Sequence, residues 1–394
     1  MSQDERKIDY FKEHEIIRNM VHKFATEELE PSAMERNDKE YFDQKLFKRL
    51  GELGLLGITA PEEFGGSGQD ALAVVVVHEE LSSVDPGFCL SFLAHSLLTV
   101  NNLSQNANSE QKKRYLPKLC DGSFIGAMAM SETHAGTDVQ GMTTRAQRVD
   151  NGYIINGKKM WITNGARDEQ ENPADVLFLY AKVGDKISSF VVEGGQEGYR
   201  VGQKLKKKLG MRSSLTAEIV LDNCFIRDDQ LIGQEGDSLK HMMRNLEIER
   251  LGLSAMALGI ARRSLSIMVA YANERKAFGQ KIADFGQIQR YIAESYAKYK
   301  ACRAYVYQTA ASNRLDGYNG RIDSDAVKLI SSQIAKEIAD CAIQILGGNG
   351  YMGEYVVERL WRDAKLLEIG GGTIEAHHKN ITCDLIKNMG AILV

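Results

Sequence analysis

Proline occurs only in the first 173 residues of this 394-residue chain, at positions 31, 61, 86, 117 and 173. Because proline removes a backbone donor and disrupts helix interiors, the remainder of the chain is free to form long helices. Three stretches there have apolar residues at helical spacing: "LGLSAMALGIARRSLSIMVAYANER", "QIQRYIAESYAKYKACRAYVYQTAASNRL" and "SDAVKLISSQIAKEIADCAIQIL". We therefore predict a C-terminal region of long amphipathic helices.

The middle of the chain has a different pattern. From about Gly122 to Arg227, "DVLFLYAKV" and "TAEIVLDNCFI" are strand-like, and "TTRAQRVDNGYIINGKKMWITNG" alternates apolar with polar residues. Turn signals at Asp150-Asn151-Gly152 and Asn156-Gly157 indicate short strands. Before this region, helical spacing returns with short breaks. The sequence predicts a helical domain over 1–121, a β domain of six or more strands over 122–235, and a helical domain over 236–394.

The composition is that of a soluble globular protein, with 43% apolar and 26% charged residues. A net charge of −4 gives no electrostatic footprint for nucleic acid or an anionic membrane, so neither is an expected partner. The charged N-terminus lacks a signal-peptide core, and no run approaches the roughly 18 apolar residues of a membrane span. Six scattered cysteines without zinc spacing favour reduced thiols and no metal site. We expect a cytoplasmic protein, or the mature chain of an organelle matrix.

The stretch "GGNGYMG" contains Gly348-x-Gly350-x-x-Gly353, which fits the dinucleotide-binding fingerprint. That fingerprint needs a strand before it, whereas the preceding "IAKEIADCAIQIL" has a helical period. We therefore predict a helix C-cap followed by a loop, and a loop that approaches a ligand remains open.

Three further stretches carry candidate ligand-binding residues, each with an equally ordinary structural interpretation. "AMAMSETHAGTDVQGM" is a loop of small polar residues that could bind a heterocycle edge or phosphate, or could be a plain turn. "KMWITNG" places Trp161 and Thr163 on one side of a strand, which suits a flat polar ring as well as a core tryptophan. "NERKAFGQKIADF" offers Arg275 for phosphate, although such charge runs are usually solvated.

Near the C-terminus, "EIGGGTIE" contains three consecutive glycines, Gly370 to Gly372, a run that is costly in chain entropy. Such a run marks either a plain loop or a close approach of another group to the backbone. In "NLEIERLGLSAMALG", Glu247 and Glu249 lie two apart on a helix and so point to different faces. At most one of them should face the interior, where an acid is costly unless it has a function.

Taken together and in order, these stretches resemble the acyl-CoA dehydrogenase family. "MSETHAGTDV", "WITNG", "ERKAFGQKI", "QILGGNGY" and "RDAK…GGGT" follow the family's order and spacing over nearly the whole chain. The resemblance implies an α+β multi-domain fold with an N-terminal helical domain, a middle β-barrel domain and a C-terminal four-helix bundle, commonly as homotetramers. It also implies non-covalent FAD and α,β-dehydrogenation of an acyl-CoA thioester. In the family, a carboxylate takes the α-proton, flavin N5 takes the β-hydride, and electrons pass to an electron-transfer flavoprotein.

The resemblance also assigns FAD contacts to five segments of this chain. The flavin ring and its surroundings would be contacted by Met128, Met130, Ser131, Gly136 and Thr137, and by Trp161, Ile162 and Thr163. Across a subunit boundary, the pyrophosphate and adenosine would be contacted by Arg275, Phe278, Gln344, Gly347 and Gly348. The flavin diphosphate would be bordered by Thr373 and Glu375.

The identity of the catalytic base follows from one position at which this chain departs from the family pattern. Many family members have a glutamate directly before the "GT" of the C-terminal loop, where this chain has Gly371. A subset that includes isovaleryl-CoA dehydrogenases supplies the base from a helix, immediately before an "RL" pair. The resemblance therefore assigns Glu249 as the base and leaves Glu247 as a solvated neighbour. The Gly371 backbone N–H would donate to the thioester carbonyl. The substrate's thioester would also lie near Thr137, Arg250 and Gly372.

Some alternatives remain open at this point. Gly286 replaces a usual glutamine, which puts one FAD contact in doubt, and His95 could lie near the acyl pocket or simply be packed. The same fold could serve an oxygen-using oxidase or monooxygenase. A catalytically silent acyl-CoA-binding or assembly protein is the third possibility. We expect a dehydrogenase acting on a short branched, cyclic or otherwise bulky acyl-CoA.

Overall fold

The computed structural model describes residues 3–315 and 321–387. Seven α-helices occupy the N-terminal part: α1 (Gln3–Phe24), α2 (Ala33–Lys39), α3 (Gln44–Glu52), α4 (Ala71–Ser82), α5 (Pro86–Leu93), α6 (Asn102–Asn106) and α7 (Ser109–Cys120). Two π-helical segments, Ala25–Leu29 and Ala94–Asn101, extend α1 and α5.

Side-chain caps fix where several of these helices begin. Asp43, Asp70 and Asp85 each accept a hydrogen bond from a backbone N–H in the first turn of the helix that follows. Asn108 and Gln111 form a reciprocal capping box at α7. Each cap contributes about 0.5–2 kcal/mol because it satisfies a donor that the helix itself leaves unpaired. The breaks in the helical pattern therefore carry the residues that start the next helix.

Eight strands form one sheet in the middle of the chain: β1 (Gly126–Ala129), β2 (Arg145–Val149), β3 (Gly152–Thr163), β4 (Val176–Val183), β5 (Lys186–Glu193), β6 (Tyr199–Lys204), β7 (Thr216–Arg227) and β8 (Leu231–Ile232). The strand order is β6-β7-β3-β2-β4-β5-β8, with β1 paired in parallel to β4. The β2–β3, β3–β7 and β4–β5 pairs are antiparallel.

The sheet curls around a core of its own. Seven of the strands contribute to one buried apolar cluster. Within it, the rings of Tyr153 on β3 and Phe190 on β5 lie 5.0 Å apart, although β2 and β4 separate these strands in the sheet. Tyr199 on β6 donates its hydroxyl to the carbonyl of Ala174, just before β4, at 3.4 Å. This barrel-like sheet between two helical parts confirms the predicted fold class.

Strand β3 departs from simple alternation in two places. The predicted turn at Asn156-Gly157 is wrong, because the chain continues through it as a register shift within β3. A second shift lies between Lys159 and Ile162, where Trp161 adopts a φ of +61°. By contrast, the turn predicted at Asp150-Asn151-Gly152 joins β2 to β3, with Asn151 at a φ of +62°. Bulges of this kind bend a strand and re-aim side chains, and local alternation does not reveal them.

The C-terminal part contains three long helices, as the absence of proline predicted. Its elements are α8 (Ser238–Glu274), the small hairpin β9 (Lys276–Ala277) and β10 (Gln280–Lys281), α9 (Gly286–Ser312), α10 (Arg321–Leu346), α11 (Gly348–Tyr351), α12 (Val356–Leu367) and α13 (Ile374–Lys387).

Helix α8 is central, since it packs against α4, α9 and α10. Gly252 and Gly259 lie seven apart and so share one face. A methyl group on Gly252 would lie 2.7 Å from Leu97 Cδ1, and one on Gly259 would lie 2.1 Å from Ser82 Oγ, so glycine permits the close approach of the N-terminal helices. By length and composition α8 could cross a membrane, but its most apolar part is 67% buried, as in the core helix of a folded domain.

Candidate active site

Glu249 lies in the buried middle of α8. Its side chain is 7% exposed, and among the described residues its Oε2 has no hydrogen-bond partner. Burial raises the pKa of Glu249 from 4.5 to about 7, and the positive charges of Arg250 and Lys328 oppose this rise. A buried carboxyl with a free oxygen and a pKa near neutrality is suited to take a proton from a ligand.

The glycine run faces Glu249 directly. Gly371 and Gly372 have φ angles of +66° and +109°, which residues with side chains rarely adopt. A methyl group on Gly371 would lie 3.4 Å from Glu249 Oε1 and 2.2 Å from Leu253 Cδ1, and one on Gly372 would lie 2.9 Å from His377 Cε1. The backbone hydrogen bonds of the described segment include none from the Gly371 N–H. The run therefore presents bare backbone, with a free donor, beside the carboxylate.

Two charged residues of α10, Asp325 and Lys328, also contact this region. Lys328 is 0% exposed, and its Nζ donates to the carbonyl of Gly372 at 2.7 Å. Asp325, also 0% exposed, accepts a hydrogen bond from Arg250 Nη1 at 3.2 Å and bonds to Nδ1 of His377. These contacts tie α8, α10 and α13 together around the glycine run.

The expectation that Glu247 is solvated is wrong. Glu247 is 3% exposed, so it is as buried as Glu249. The two acids point to different faces of α8, but α4, α9 and α10 all pack against this helix. Helical spacing alone could not identify a solvent-facing side. What distinguishes Glu249 is its position beside the bare backbone of Gly371.

The loop from Met130 to Thr144 is anchored by a buried ion pair. Glu132 is 2% exposed and Lys159 of β3 is 0% exposed. Lys159 Nζ lies 3.0 Å from Glu132 Oε1 and 2.9 Å from the Met130 carbonyl. The carboxylate also accepts hydrogen bonds from the backbone N–H and hydroxyl of both Thr143 and Thr144. Although burial alone would raise it, these bonds and the Lys159 charge lower the pKa of Glu132 to about 2.

This anchoring brings the first two predicted FAD-binding segments together. The Met160 N–H donates to the Ser131 carbonyl at 2.9 Å. Next to this contact, the Trp161 indole is 54% exposed, and Ser131 and Thr163 are half-buried. Ile162 is 4% exposed and points into the sheet core, so only its backbone can face a ligand. An exposed indole between polar groups fits a flat polar ring such as that of FAD.

Other predicted residues of this loop are open to a ligand. Met128 is half-buried, with its Sδ 3.9 Å from Asn102 Nδ2. Gly136 and Thr137 are exposed, and a methyl group on Gly136 would meet nothing within 4 Å. The loop thus leaves space beside the anchored Met130-Ser131 backbone.

A second group of predicted FAD contacts lies at one end of the helical region. All five residues of this group are exposed: Arg275, Phe278, Gln344, Gly347 and Gly348. Phe278 is the most exposed of the described large apolar residues, at 97%. Asn349 Nδ2 donates to the Tyr271 hydroxyl at 3.0 Å, which links the end of α8 to α11. In the segments that the structure describes, no hydrogen bond or ion pair joins this group to the Ser131–Trp161 region. One chain thus presents the two groups as separate surfaces.

Thr373 and Glu375 lie where α13 begins, directly after the glycine run. Thr373 Oγ1 accepts a hydrogen bond from the Ala376 N–H at 3.2 Å and so caps the helix. Glu375 is exposed in the first turn. The helix N-terminus therefore lies close to the backbone that faces Glu249.

Two open interpretations are resolved. "GGNGYMG" follows helix α10 rather than a strand, and Gly347 N–H donates to the Ile343 carbonyl at 3.0 Å, which confirms the predicted helix end. The predicted loop is wrong in part, because Gly348–Tyr351 forms the short helix α11. His95 is 0% exposed, with Nε2 2.9 Å from the Leu119 carbonyl and Nδ1 3.0 Å from the Gly126 N–H. Burial lowers the pKa of His95 to about 4, so it is a neutral, packed histidine.

The predicted site residues did not include the supporting charged residues Glu132, Lys159, Asp325, Lys328 and His377. A signal was available for two of them, since "SDAVKLISSQIAKEI" places Asp325 and Lys328 three apart on one face of an amphipathic helix. Charges within an otherwise apolar face are costly unless they are paired or functional. The partner of each depends on distant segments and could not be read from the local pattern.

Comparison with known proteins agrees with this geometry. The N-terminal, middle and C-terminal domain models of acyl-CoA dehydrogenase match residues 12–123, 127–224 and 236–385. Isovaleryl-CoA dehydrogenase, mitochondrial, from Arabidopsis thaliana is 42% identical over 382 residues, covering 94% of this chain and 90% of the relative. The 2-methylacyl-CoA dehydrogenase, mitochondrial, from Solanum tuberosum is 40% identical with the same coverage.

A solved structure supports the cofactor. Acyl-CoA dehydrogenase complexed with FAD from Bacillus anthracis superposes with a TM-score of 0.90 and 31% identity, covering 97% of this chain and 68% of that chain. The fold, the residues around Trp161 and the family matches agree, and the chain therefore belongs to the acyl-CoA dehydrogenase family of FAD-dependent oxidoreductases.

Proposed function

We propose that this protein desaturates a short branched or otherwise bulky acyl-CoA at its Cα–Cβ bond, with Glu249 removing the α-proton. The observation that carries the proposal is the buried, partly unbonded Glu249 carboxyl facing the side-chain-free Gly371. FAD, when bound, supplies the acceptor for the β-hydride. Its ring would be held by Met128, Met130, Ser131, Gly136, Thr137, Trp161, Ile162 and Thr163.

Glu249 suits the role of general base because its pKa of about 7 makes the carboxylate available near neutral pH and still able to hold the proton it takes. Glu249 is only 7% exposed, so water has little access to its carboxyl. Taking an α-proton from a thioester builds negative charge on the carbonyl oxygen. The free N–H of Gly371 is positioned in the same region and would donate to that oxygen.

The acyl group is inferred from the relatives. Glycine at 371 places no second carboxylate beside Glu249, and Leu253 Cδ1 occupies the space where a side chain at 371 would begin. The similar proteins from Arabidopsis thaliana and Solanum tuberosum are named for isovaleryl and 2-methylacyl substrates. We therefore propose isovaleryl-CoA or a 2-methyl-branched analogue as the first substrates to test.

Further features of the family are proposed for this chain. Arg275, Phe278, Gln344, Gly347 and Gly348 would contact the FAD of a neighbouring subunit in a homotetramer, and Thr373 and Glu375 would border the diphosphate. An electron-transfer flavoprotein would accept the electrons. We also propose that the domains span 1–121, 122–235 and 236–394. The protein would act in the cytoplasm or in an organelle matrix.

Glu249→Gln tests the central assignment. The variant should retain FAD, while anaerobic bleaching of the flavin absorption by isovaleryl-CoA should slow by about 10²- to 10⁴-fold, because a general base contributes that much. Glu247→Gln is the matched control, since it changes a buried acid on the same helix and should leave bleaching near the unmodified rate.

Near-normal bleaching in Glu249→Gln would overturn the assignment of the base. Rapid reoxidation by air with ligand bound would instead place the protein among the oxygen-using relatives. FAD that no acyl-CoA reduces would indicate a binding protein.

A further inference from the structure

Lys328 is a fully buried cation whose described hydrogen bond goes to a neutral group. Its Nζ donates to the Gly372 carbonyl at 2.7 Å, and the described residues contain no ion pair to it. An ammonium group has three donors and is costly to bury without a carboxylate partner. A chain that keeps such a group in its interior gains something from its charge or from the backbone it holds.

The backbone that Lys328 holds is the one that faces Glu249. Gly372 follows Gly371, whose missing side chain would lie 3.4 Å from Glu249 Oε1. Both glycines have left-handed φ angles and no side chains to pack, so their conformation depends on such outside contacts. A hydrogen bond from a buried ammonium to the Gly372 carbonyl therefore fixes the peptide next to the free Gly371 N–H.

The charge of Lys328 also acts on Glu249. The positive charges of Arg250 and Lys328 favour the carboxylate form of Glu249, against the effect of burial. Arg250 is engaged by Asp325, which lies 3.2 Å from its Nη1. Lys328 makes no ion pair among the described residues, and the negative charge that acts on it most strongly is that of Glu249.

We propose that Lys328 is a positioning residue of the dehydrogenation reaction: it fixes the glycine run through the Gly372 carbonyl and keeps Glu249 in its basic carboxylate form. This role rests on the proposed function of Glu249, but the electrostatic half can be measured without substrate. The other charged or titratable groups facing this region from their several elements are Tyr180 on β4, Arg250 on α8, Asp325 on α10, Glu368 after α12 and His377 on α13.

The nearby positive charge of Lys328 determines the direction in which the pKa of Glu249 should change when that charge is removed. Removing a positive charge near Glu249 raises the pKa of its carboxyl, so less carboxylate is present at a given pH. Burial lowers the pKa of Lys328 to about 7, so its own charge fades over the same range. Since Glu249 starts at about 7, an upward shift of about half to one unit would slow flavin reduction roughly two- to fivefold at pH 7. The loss should disappear towards pH 9.

Two variants separate the two parts of the role. Lys328→Gln removes the charge but keeps an N–H donor for the Gly372 carbonyl, so it should shift the pH midpoint of flavin reduction upward with little loss at high pH. Lys328→Met removes charge and donor, so it should show the same shift plus a loss of rate at every pH. Lys298→Met is the matched control, because Lys298 pairs with Glu337 on the surface and should leave the midpoint unchanged.

Titration of the Glu249 carboxyl in the substrate-free holoenzyme tests the proposal independently. Difference infrared spectra, with Glu249→Gln identifying the band, should give a higher carboxyl pKa in Lys328→Gln than in the unmodified protein. An unchanged pKa and an unchanged pH midpoint would overturn the proposal. A shifted carboxyl pKa in a protein whose flavin no acyl-CoA reduces would leave the electrostatic role of Lys328 intact and refute the proposed function instead.

Discussion

Two loops line the proposed site, and each is tied to the protein by a buried lysine in a different electrostatic setting. Lys159 holds the Met130–Thr144 loop and is paired with Glu132 at 3.0 Å. Lys328 holds the glycine run through a carbonyl oxygen. Burial lowers the pKa of Lys159 to about 8 and that of Lys328 to about 7. Near pH 7 the first therefore stays mostly charged, whereas the second is close to its titration point.

The difference separates a structural ion pair, Lys159 with Glu132, from the buried charges that we propose take part in the reaction. Glu132 accepts hydrogen bonds from Lys159, Thr143 and Thr144, so the charges around this loop are satisfied within the protein. Around the glycine run, by contrast, Glu249 Oε2 has no partner among the described residues. Unpaired buried polar atoms cost stability, and proteins retain them where a ligand will use them. We propose that the proton is transferred beside the glycine run, where the Glu249 carboxyl is not fully hydrogen-bonded within the described part of the protein.

Lys159→Met should produce the largest loss of stability. It leaves the Glu132 carboxylate buried without its cation, and breaking such a pair costs about 3–5 kcal/mol of unfolding free energy. The contact to the Met130 carbonyl is lost as well, so the FAD content of the purified protein should fall. Urea unfolding and the ratio of flavin to protein absorption measure the two effects.

The control for Lys159→Met is Lys298→Met, which breaks a surface ion pair and should cost less than about 1 kcal/mol. Adding Glu132→Gln to Lys159→Met should cost less than the sum of the two single changes, because they share one interaction. Equal losses in Lys159→Met and Lys298→Met would mean that the buried ion pair contributes no more to stability than a surface pair. Lys159 would then not differ from Lys328 as the lysine of a stabilising pair.

Gly371→Ala should have the next largest effect. The new methyl group would lie 2.2 Å from Leu253 Cδ1 at a φ of +66°. Overpacking and the left-handed backbone together should cost about 2–4 kcal/mol of unfolding free energy. Gly184→Ala is the matched control, since it has a φ of +59° and nothing within 4 Å, and should show only the backbone part.

A thermal or urea unfolding series measures both glycine variants. Leu253→Ala in the Gly371→Ala background should recover the packing part, so the two changes should be strongly non-additive. If Gly371→Ala proved no worse than Gly184→Ala, the loop next to Glu249 would be free to move, and Lys328 would not be fixing it.

Features that depend on one element at a time were predictable from the sequence. The proline-free remainder forms long helices, and the alternating middle forms a sheet. The family resemblance chose Glu249, and the structure places this residue beside Gly371, more than a hundred residues away in the chain. That juxtaposition could be expected only from the resemblance, because no local pattern encodes it.

Features that depend on packing between distant elements were not predictable. Glu247 looked solvent-facing, yet α8 is enclosed on several sides. The bulge at Trp161 depends on how β3 pairs with β7. Lys328 looked like one more polar residue of an amphipathic helix until the glycine run was found against its Nζ. In each case the local sequence shows the residue but not the distant segment that it contacts in the folded protein.

Glu249→Gln should show a smaller effect on stability, and one that depends on pH. The folded pKa of Glu249 is about 7 against 4.5 for an ordinary glutamate, so folding favours its protonated form. The resulting stability is fully present below pH 4.5 and is lost as the pH rises through 7. Glutamine resembles the protonated form at every pH. The variant should therefore lie within about 1 kcal/mol of the unmodified protein at pH 5 and exceed its unfolding free energy by about 3 kcal/mol at pH 8.

Urea unfolding of both proteins at pH 5 and pH 8 measures this difference, with Glu132→Gln as the opposite case. Glu132 has a pKa lowered to about 2, so its stabilising contribution is present above pH 4.5 and is lost as the pH falls through 2. Glu132→Gln should therefore destabilise at both pH 5 and pH 8, where Glu249→Gln stabilises only at the higher pH. A Glu249→Gln variant that is less stable at pH 8 would mean that the carboxylate of Glu249 is satisfied in the folded protein, and the two loops would no longer differ in charge balance.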